Sequence, residues 1–392
     1  MNSEPIKILL ADGSDRQVLP LSKAYKELGC HVTTLNGSRL DNGYSSRYPD
    51  EKLLEPEIVD NKKRHWEIIK SLLMTGKYDV AISTSDETAE GLSLMKEELQ
   101  GKANLAVVSP SLFYKAYDKR ETMAICHDNG IPCIETYFGI KSIDDIESRS
   151  WIYPLVVKPR MSYGAIGFHK VENEAEFRQL LNIIQNEIDD YVFQEFIPQT
   201  DIQYECAMFL DDNNEVKTSC VFSKTRWYPV KGGSSTCNVT VDRPDIVDTC
   251  TKLLQVIHWR GPADIDLIQD PRDGVAKVME INPRVSGSVK ILFEAGVNIA
   301  EQIMQLALGR NVTDYRSYKM DVRMRCFHTD LLWFLESSNR FRAQPSWFSW
   351  RNTYDQIFSL SDPFPFFAFS IQALKKYRKE KRKRKSLVDG RI

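Results

Sequence analysis

Apolar positions along the chain keep two rhythms by turns. Ile6-Lys7-Ile8-Leu9-Leu10 is a short, nearly continuous apolar run; after Asp12-Gly13-Ser14-Asp15, Val18, Leu21, Tyr25 and Leu28 recur at helical spacing and stop at Gly29. Run and period read as a buried strand followed by an amphipathic helix with a C-terminal glycine. The alternation continues with a strand at His31–Leu35, a polar segment holding Gly37, Gly43 and Pro49, a helix near Lys62–Thr75, and strands at Asp79–Ser83 and Leu105–Val108. This pattern predicts a small parallel-sheet α/β domain over residues 1–112. Its first loop has one glycine where a dinucleotide-binding fold has G-x-G-x-x-G, so the Rossmann fingerprint is lacking.

From 113 to about 310 the strands come closer together. Asp118-Lys119-Arg120-Glu121 opens a helix in a capping-box pattern, and the helix ends at Asn129-Gly130. Strands are expected at Ile134–Phe138, Tyr153–Pro159, Tyr191–Ile197, Glu205–Leu210 and Ser219–Ser223, with a helix through Phe177, Leu180, Leu181, Ile184 and Ile188. Ala263–Ile268 and Val278–Asn282 flank Asp270-Pro271-Arg272-Asp273-Gly274, a hairpin signal that sets Asp266 near Glu280. A mixed sheet, α+β in character, accounts for this region. Residues 311–392 form a C-terminal extension in which Leu331–Leu335 and Trp347–Trp350 read as packed core.

Composition fits a globular chain, at 42% apolar and 27% charged residues. The first residues run straight into a strand with no signal-peptide pattern, and no apolar run approaches the roughly 20 residues of a membrane span, so a cytoplasmic location is expected. Eight cysteines are scattered without C-x-x-C spacing and read as reduced thiols. Cys237, in a polar stretch, also reads as a candidate nucleophile. The net charge of −2 conceals a run, Lys375–Lys385, with nine Lys or Arg against one Glu. An acidic body excludes nucleic acid as its partner. The tail, preceded by Phe364, Phe366, Phe367 and Phe369, reads either as a solvated helix end or as an element docking on an anionic membrane surface, which would make the protein peripheral.

Candidate chemistry gathers around Val278–Ser288. Glu280 and Asn282, two apart on a strand, offer oxygens to one Mg²⁺ on the same face, Asp266 joins them through the hairpin, and Arg284 adds a cationic fork. Ser286-Gly287-Ser288 opens a segment that reads as helical, a setting suited to phosphate. Lys158, ending an apolar strand, suits a phosphate as a point charge, and the loop Arg160–Phe168, with Ser162, Gly164 and Gly167, can bring backbone N–H groups over phosphates. Two further stretches stay open. Thr84–Glu87 reads as a substrate contact or a helix cap, and Ser223–Ser235 as an anion-binding or an ordinary basic loop.

The order of these motifs resembles the ATP-grasp superfamily and is similar to the ATP-binding half of the carbamoyl phosphate synthetase large chain. Asp118-Lys119, Gly130-Ile131-Pro132 and Pro154-Leu155-Val156-Val157-Lys158-Pro159 fill that family's successive signature positions. The resemblance implies an ATP-grasp fold behind the small parallel-sheet domain, with Lys119 and Lys158 on ATP phosphates and Glu195, Phe196 and Ile197 at the adenine. It puts Gln203 where the family commonly has a ribose-binding Glu, with Asp266, Glu280 and Asn282 on Mg²⁺ (Mn²⁺ as an alternative) and Arg284 beside the transferred phosphoryl group. The implied activity is ADP-forming ligation of a small carboxylate to an amine through an acyl phosphate. Alternatives are phosphorylation of carbamate or bicarbonate, and ATP binding without turnover. Self-association is compatible with this class. The resemblance lapses from about Asn311.

Overall fold

The computed structural model describes residues 4–55, 61–162, 167–198, 202–230 and 233–375. Strands β1 (Lys7–Leu10), β2 (His31–Asn36), β3 (Glu51–Leu54), β4 (Val80–Ile82) and β5 (Asn104–Leu105) form one sheet in the order β3-β2-β1-β4-β5. Its pairings are all parallel. Two local expectations change. The polar segment after β2 supplies β3, whose charged start, Glu51-Lys52, suits the sheet edge it occupies. The strand expected to reach Val108 stops at Leu105, and a helix begins at Pro110.

An antiparallel sheet follows, with β6 (Thr136–Tyr137), β7 (Leu155–Pro159), β8 (His169–Val171) and β9 (Tyr191–Glu195) in the order β6-β9-β7-β8. Phe177, Leu180, Leu181 and Ile184 of the helix Glu174–Ile184 pack on it, as their spacing predicts. The largest sheet contains β10 (Gln203–Leu210), β11 (Val216–Tyr228), β12 (Ser234–Thr240), β13 (Gly261–Gln269), β14 (Ala276–Asn282), β15 (Arg323–Arg325) and β16 (Thr353–Asp355), in the order β14-β13-β10-β11-β12-β15-β16. Its last two strands come from the chain beyond Asn311.

The described part of Ser223–Ser235 is thus largely strand, the end of β11 and the start of β12, while Lys231 and Gly232 lie outside the described residues. Arg226 does not face a ligand there. It is buried in a two-pronged pair with Asp330, Nε to Oδ1 at 2.6 Å and Nη2 to Oδ2 at 3.0 Å. Thr236 donates to the same carboxylate at 3.0 Å. Cys237 beside it is buried too, and burial pushes its thiol up, against a nucleophilic role. In the extension Trp333 is buried, as expected, whereas Phe348 and Trp350 are largely exposed.

Strand alternation assigns the two faces of the large sheet. Cys206, Met208 and Leu210 pack with Ile246, Cys250 and Leu253 of the helix Pro244–Val256. Ala207, Phe209, Cys220 and Phe222 share the other core with Ile8, Leu10, Val285, Val289 and Ile291. One apolar core therefore fixes the parallel sheet against the segment after β14, and it brings the loops after β1 and β4 to the motif around Arg284.

Candidate active site

The face holding Ala207, Phe209 and Phe222 turns polar towards one end. Glu205 stands opposite Asp266 across β10 and β13, and Glu280 and Asn282 stand opposite Asp266 and Asp264 across β13 and β14. A β-bulge makes this possible. Asp266 pairs with Glu280 but Leu267 pairs with Val278, so Met279 is the extra residue. Val278 and Ile281 both face the helix-covered core. Without that one-residue shift Glu280 would share Val278's side. Met279 instead packs with Ile134, Ile197 and Ile268, so an apolar wall and the acids adjoin.

Cations and acids are interleaved here. Lys224 Nζ lies 2.6 Å from Asp266 Oδ1 and 3.5 Å from Glu205 Oε2. Lys119 Nζ lies 3.3 Å from Glu280 Oε2 and donates to the Ser162 carbonyl at 2.6 Å. Lys119 is set by its helix start: Asp118 accepts from the Arg120 N–H at 2.9 Å and is ion-paired to Arg160, whose carbonyl accepts from the Lys119 N–H at 3.1 Å. This cap lacks the reciprocal bond expected of a capping box, because the Asp118 N–H already donates to the Tyr114 carbonyl at 3.0 Å. Burial pushes the Asp266 carboxyl up; Lys224 opposes, Glu205 and Glu280 add to the rise, and the result is about 6. Burial acts likewise on Glu280, but Lys119 and Lys158 outweigh it and hold Glu280 below the usual range.

Lys158 ends β7 and is 8% exposed. Burial lowers its ammonium to about 8, Glu280 opposing and Lys119 reinforcing. A bound phosphate favours the charged form, so nucleotide binding should take up protons near this pH. ATP affinity is expected to fall as pH rises through 8, approaching about tenfold per unit above it. Titration calorimetry in buffers of differing ionisation enthalpy checks this, and a pH-independent Kd between 7 and 9 would remove Lys158 from the phosphate site.

Arg284 Nε lies 3.1 Å from Asp86 Oδ1, and its Nη2 donates to Asn282 Oδ1 at 3.3 Å. Asp86 is in the first turn of the helix Asp86–Leu94, which Ser85 caps through the Thr88 N–H. Thr84–Glu87 is therefore a helix cap that also sends a carboxylate to the site. Thr84 Oγ1 donates to Asp15 Oδ2 at 2.9 Å, and burial together with Asp12 lifts Asp15 to about 6. Arg16 Nε donates to the Gly287 carbonyl at 3.1 Å, and a Cβ on Gly287 would stand 2.9 Å from Arg16 Nη2, so a side chain there would displace the guanidinium. The segment after Ser286-Gly287-Ser288 is an α-helix only over Lys290–Glu294. The expected helix-terminus phosphate site is corrected accordingly: five residues make too short a helix. Ser288 instead accepts from Asn238 Nδ2 at 2.8 Å, and Ser286 is bonded to Glu205.

At the hinge, Glu195 is the last residue of β9, and its carboxylate is held by Arg272 at 2.5 Å and Lys277 at 3.9 Å. Its side chain is committed to the hairpin, which leaves backbone groups to meet a base. Ile197 is buried in the cluster with Met279, and Lys170 lies over the Phe196 ring, 4.0 Å from its centroid. Gln203 stands opposite Lys224 on one side and Ile268 on the other. Ser162 contributes its carbonyl to Lys119, and Gly167 has a positive φ of 72° against Pro159. Gly164 lies outside the described residues.

The structure thus brings Lys119, Lys158, Asp266, Glu280, Asn282 and Arg284 to one locus, with the hinge against its apolar wall. Asp86, from the candidate stretch Thr84–Glu87, and Lys224, from the candidate stretch Ser223–Ser235, also belong to it, together with Glu205 and Asp264, which sequence reasoning did not single out. Asp264 is buried with Oδ1 unpaired, and burial with Glu205 nearby raises its carboxyl well above the usual value. Among the described residues no three His, Cys, Asp or Glu side chains converge as a ready-made cage. Two carboxylates and an amide on adjoining strands nevertheless fit Mg²⁺, which takes hard oxygen ligands and commonly completes its shell with phosphate and water.

Residues 212–329 match the family model described as "ATP-grasp in the biosynthetic pathway with Ter operon". The chain is similar to a D-aspartate ligase of Enterococcus faecium (strain Aus0004), 25% identical over 331 residues that cover 78% of this chain and 77% of the relative. It is 23% identical over 360 residues to the carbamoyl phosphate synthase large chain of Thermotoga neapolitana, covering 88% of this chain but only 32% of that relative's length. Among solved structures it resembles N5-carboxyaminoimidazole synthetase from Staphylococcus aureus complexed with ADP (TM-score 0.64, 16% identity, 82% of each chain). It also resembles an L-amino acid ligase from Bacillus licheniformis (TM-score 0.61, 17% identity, 78% of this chain and 75% of that one). A third is the biotin carboxylase domain of a Hydrogenobacter thermophilus 2-oxoglutarate carboxylase with MgADP (TM-score 0.67, 16% identity, 81% and 73%).

Proposed function

We propose that this chain is an ADP-forming carboxylate–amine ligase of the ATP-grasp superfamily. The observation that carries the reading is the locus where Lys119 and Lys158 meet Glu280 beside the apolar wall of Ile197 and Met279. Ile197, Met279 and the backbone of Glu195–Ile197 take the adenine, Gln203 the ribose, and Lys119 and Lys158 the phosphates. Ser162 and Gly167 border the phosphate end of the site, and Gly164 is a candidate outside the described residues. Asp266, Glu280 and Asn282 would hold Mg²⁺, or Mn²⁺, which would supply positive charge to offset that of the phosphates. Arg284 steers a substrate carboxylate to the γ-phosphorus. A carboxylate oxygen bonds to phosphorus as the bond to ADP breaks, and an amine then displaces phosphate from the acyl carbon. No side chain becomes covalent; the protein supplies position and charge.

Incubation with Mg-ATP and pools of small carboxylic acids and amines should release ADP, and hydroxylamine in place of the amine should give a hydroxamate. ADP release with bicarbonate alone would point instead to the carbamoyl phosphate synthetase-like alternative, and ATP binding without turnover across all pools would refute the ligase reading. The reading puts the enzyme in the cytoplasm, self-association included, with the basic tail against an anionic membrane surface. Residues 376–392 of that tail lie outside the described residues.

A further inference from the structure

We propose that the outward face of the helix at 364–375 is an interfacial docking element for an anionic lipid surface, a proposal that rests on the membrane reading above and names the surface that serves it. The helix is fixed to the body by its other side. Phe366 and Phe369 lie against His328, with ring centroids 4.8 and 5.0 Å away, and Ser370 Oγ is 2.7 Å from His328 Nε2. Gln372 donates to Asp41 at 2.9 Å, and Asp362, just ahead of the helix, accepts from Ser46 at 2.6 Å.

What remains outward is apolar. Phe364, Phe367, Ile371 and Leu374 are 69%, 59%, 45% and 59% exposed and follow one another at helical spacing. A surface helix ordinarily turns charge to water on this side. Leu360, 90% exposed, precedes the stripe. Immediately after it the sequence carries nine basic residues against one acid between Lys375 and Lys385. An apolar stripe continued by dense positive charge complements headgroup phosphates over acyl chains. No helix among the described residues is long and apolar enough to cross a membrane, so the element lies on the bilayer. Anchored to residues 41 and 46, it holds the catalytic body in a set orientation rather than on a loose tether.

The full chain, Phe367→Ser/Leu374→Ser, and a variant with Lys381, Arg382, Lys383 and Arg384 changed to Gln are sedimented with phosphatidylcholine vesicles with and without phosphatidylserine. The full chain should bind only the anionic vesicles and keep part of that binding at high salt. The Ser variant should bind roughly tenfold or more weakly, with its residual binding abolished by salt, and should keep the wild-type melting temperature and ATP affinity. The Gln variant should lose the preference for phosphatidylserine. If the Ser variant binds as the full chain does, the helix face is not the contact although the tail still is. If the full chain ignores anionic vesicles, the membrane reading falls and the face with it. If the full chain is a dimer that the Ser substitutions split, the stripe covers a second copy and this proposal is overturned. ATP binding and ligase turnover are read separately, so neither result is confused with failure of the enzyme assignment.

Discussion

Replacing Glu280 by Gln should lower turnover roughly 100-fold or more, the scale of several kcal/mol attached to metal stabilisation of a phosphoryl-transfer transition state, while the protein stays folded. The substitution keeps shape and removes charge from a side chain that is opposite Asp266 and 3.3 Å from Lys119. The lost ligand matters most as charge moves onto departing ADP. Nucleotide affinity should fall far less than turnover, because the hinge is untouched and the release of Lys119 from its carboxylate offsets the loss of the charge that favours the Lys158 ammonium. Asn282→Ala should act in the same direction more weakly, a neutral amide contributing less to a hard cation. Steady-state kinetics beside an ATP-binding isotherm separates the two effects. Normal turnover by Glu280→Gln would mean that Glu280 is not a metal ligand.

Asp330→Ala, on the helix Phe327–Glu336 against the large sheet, should destabilise the protein by about 3–5 kcal/mol. Arg226 and Asp330 are 2% and 0% exposed, and the carboxylate holds the guanidinium with two bonds. Alanine leaves a buried cation with only neutral partners, the Pro345 carbonyl at 2.9 Å and the Cys237 thiol, among the described residues. The melting temperature should drop by roughly 10 °C. Removing both charges together, with Arg226→Met and Asp330→Leu, should recover most of the loss, since the cost arises from the unpaired ion rather than from the missing pair. Thermal unfolding of the three proteins decides it; a single variant melting within a degree or two of wild type would show that water reaches the pair.

Local pattern made much of this legible. Val18, Leu21 and Tyr25 announced their helix, and Asp270-Pro271-Arg272-Asp273-Gly274 announced the hairpin that sets Asp266 opposite Glu280. The family resemblance supplied Lys119, whose own surroundings carry no such signal. What stayed hidden depends on pairing between distant strands. Lys224 reads as one more cation in a basic stretch until β10 and β13 bring Asp266 beside it. Arg226, two residues on, meets Asp330 only because the segment after Asn311 folds back onto the large sheet. The bulge at Met279 is equally silent: nothing in Val278-Met279-Glu280 states that the strand will slip by one, yet that slip turns both the apolar wall and the acid to the same side.

The pairing of Lys119 with Glu280 and of Lys224 with Asp266 carries a thermodynamic corollary. Glu280 can ligate a cation fully only after giving up Lys119, and Lys119 can meet a phosphate fully only after giving up Glu280. The same carboxylate–ammonium contact obstructs both guests, so either one, in breaking it, prepares the protein for the other. Metal and nucleotide are then positively linked, each raising the other's affinity by the same factor. On that reading the locus would act as an ion exchanger, trading an internal salt for an external one, so that its buried charges are paired both before and after the guests arrive.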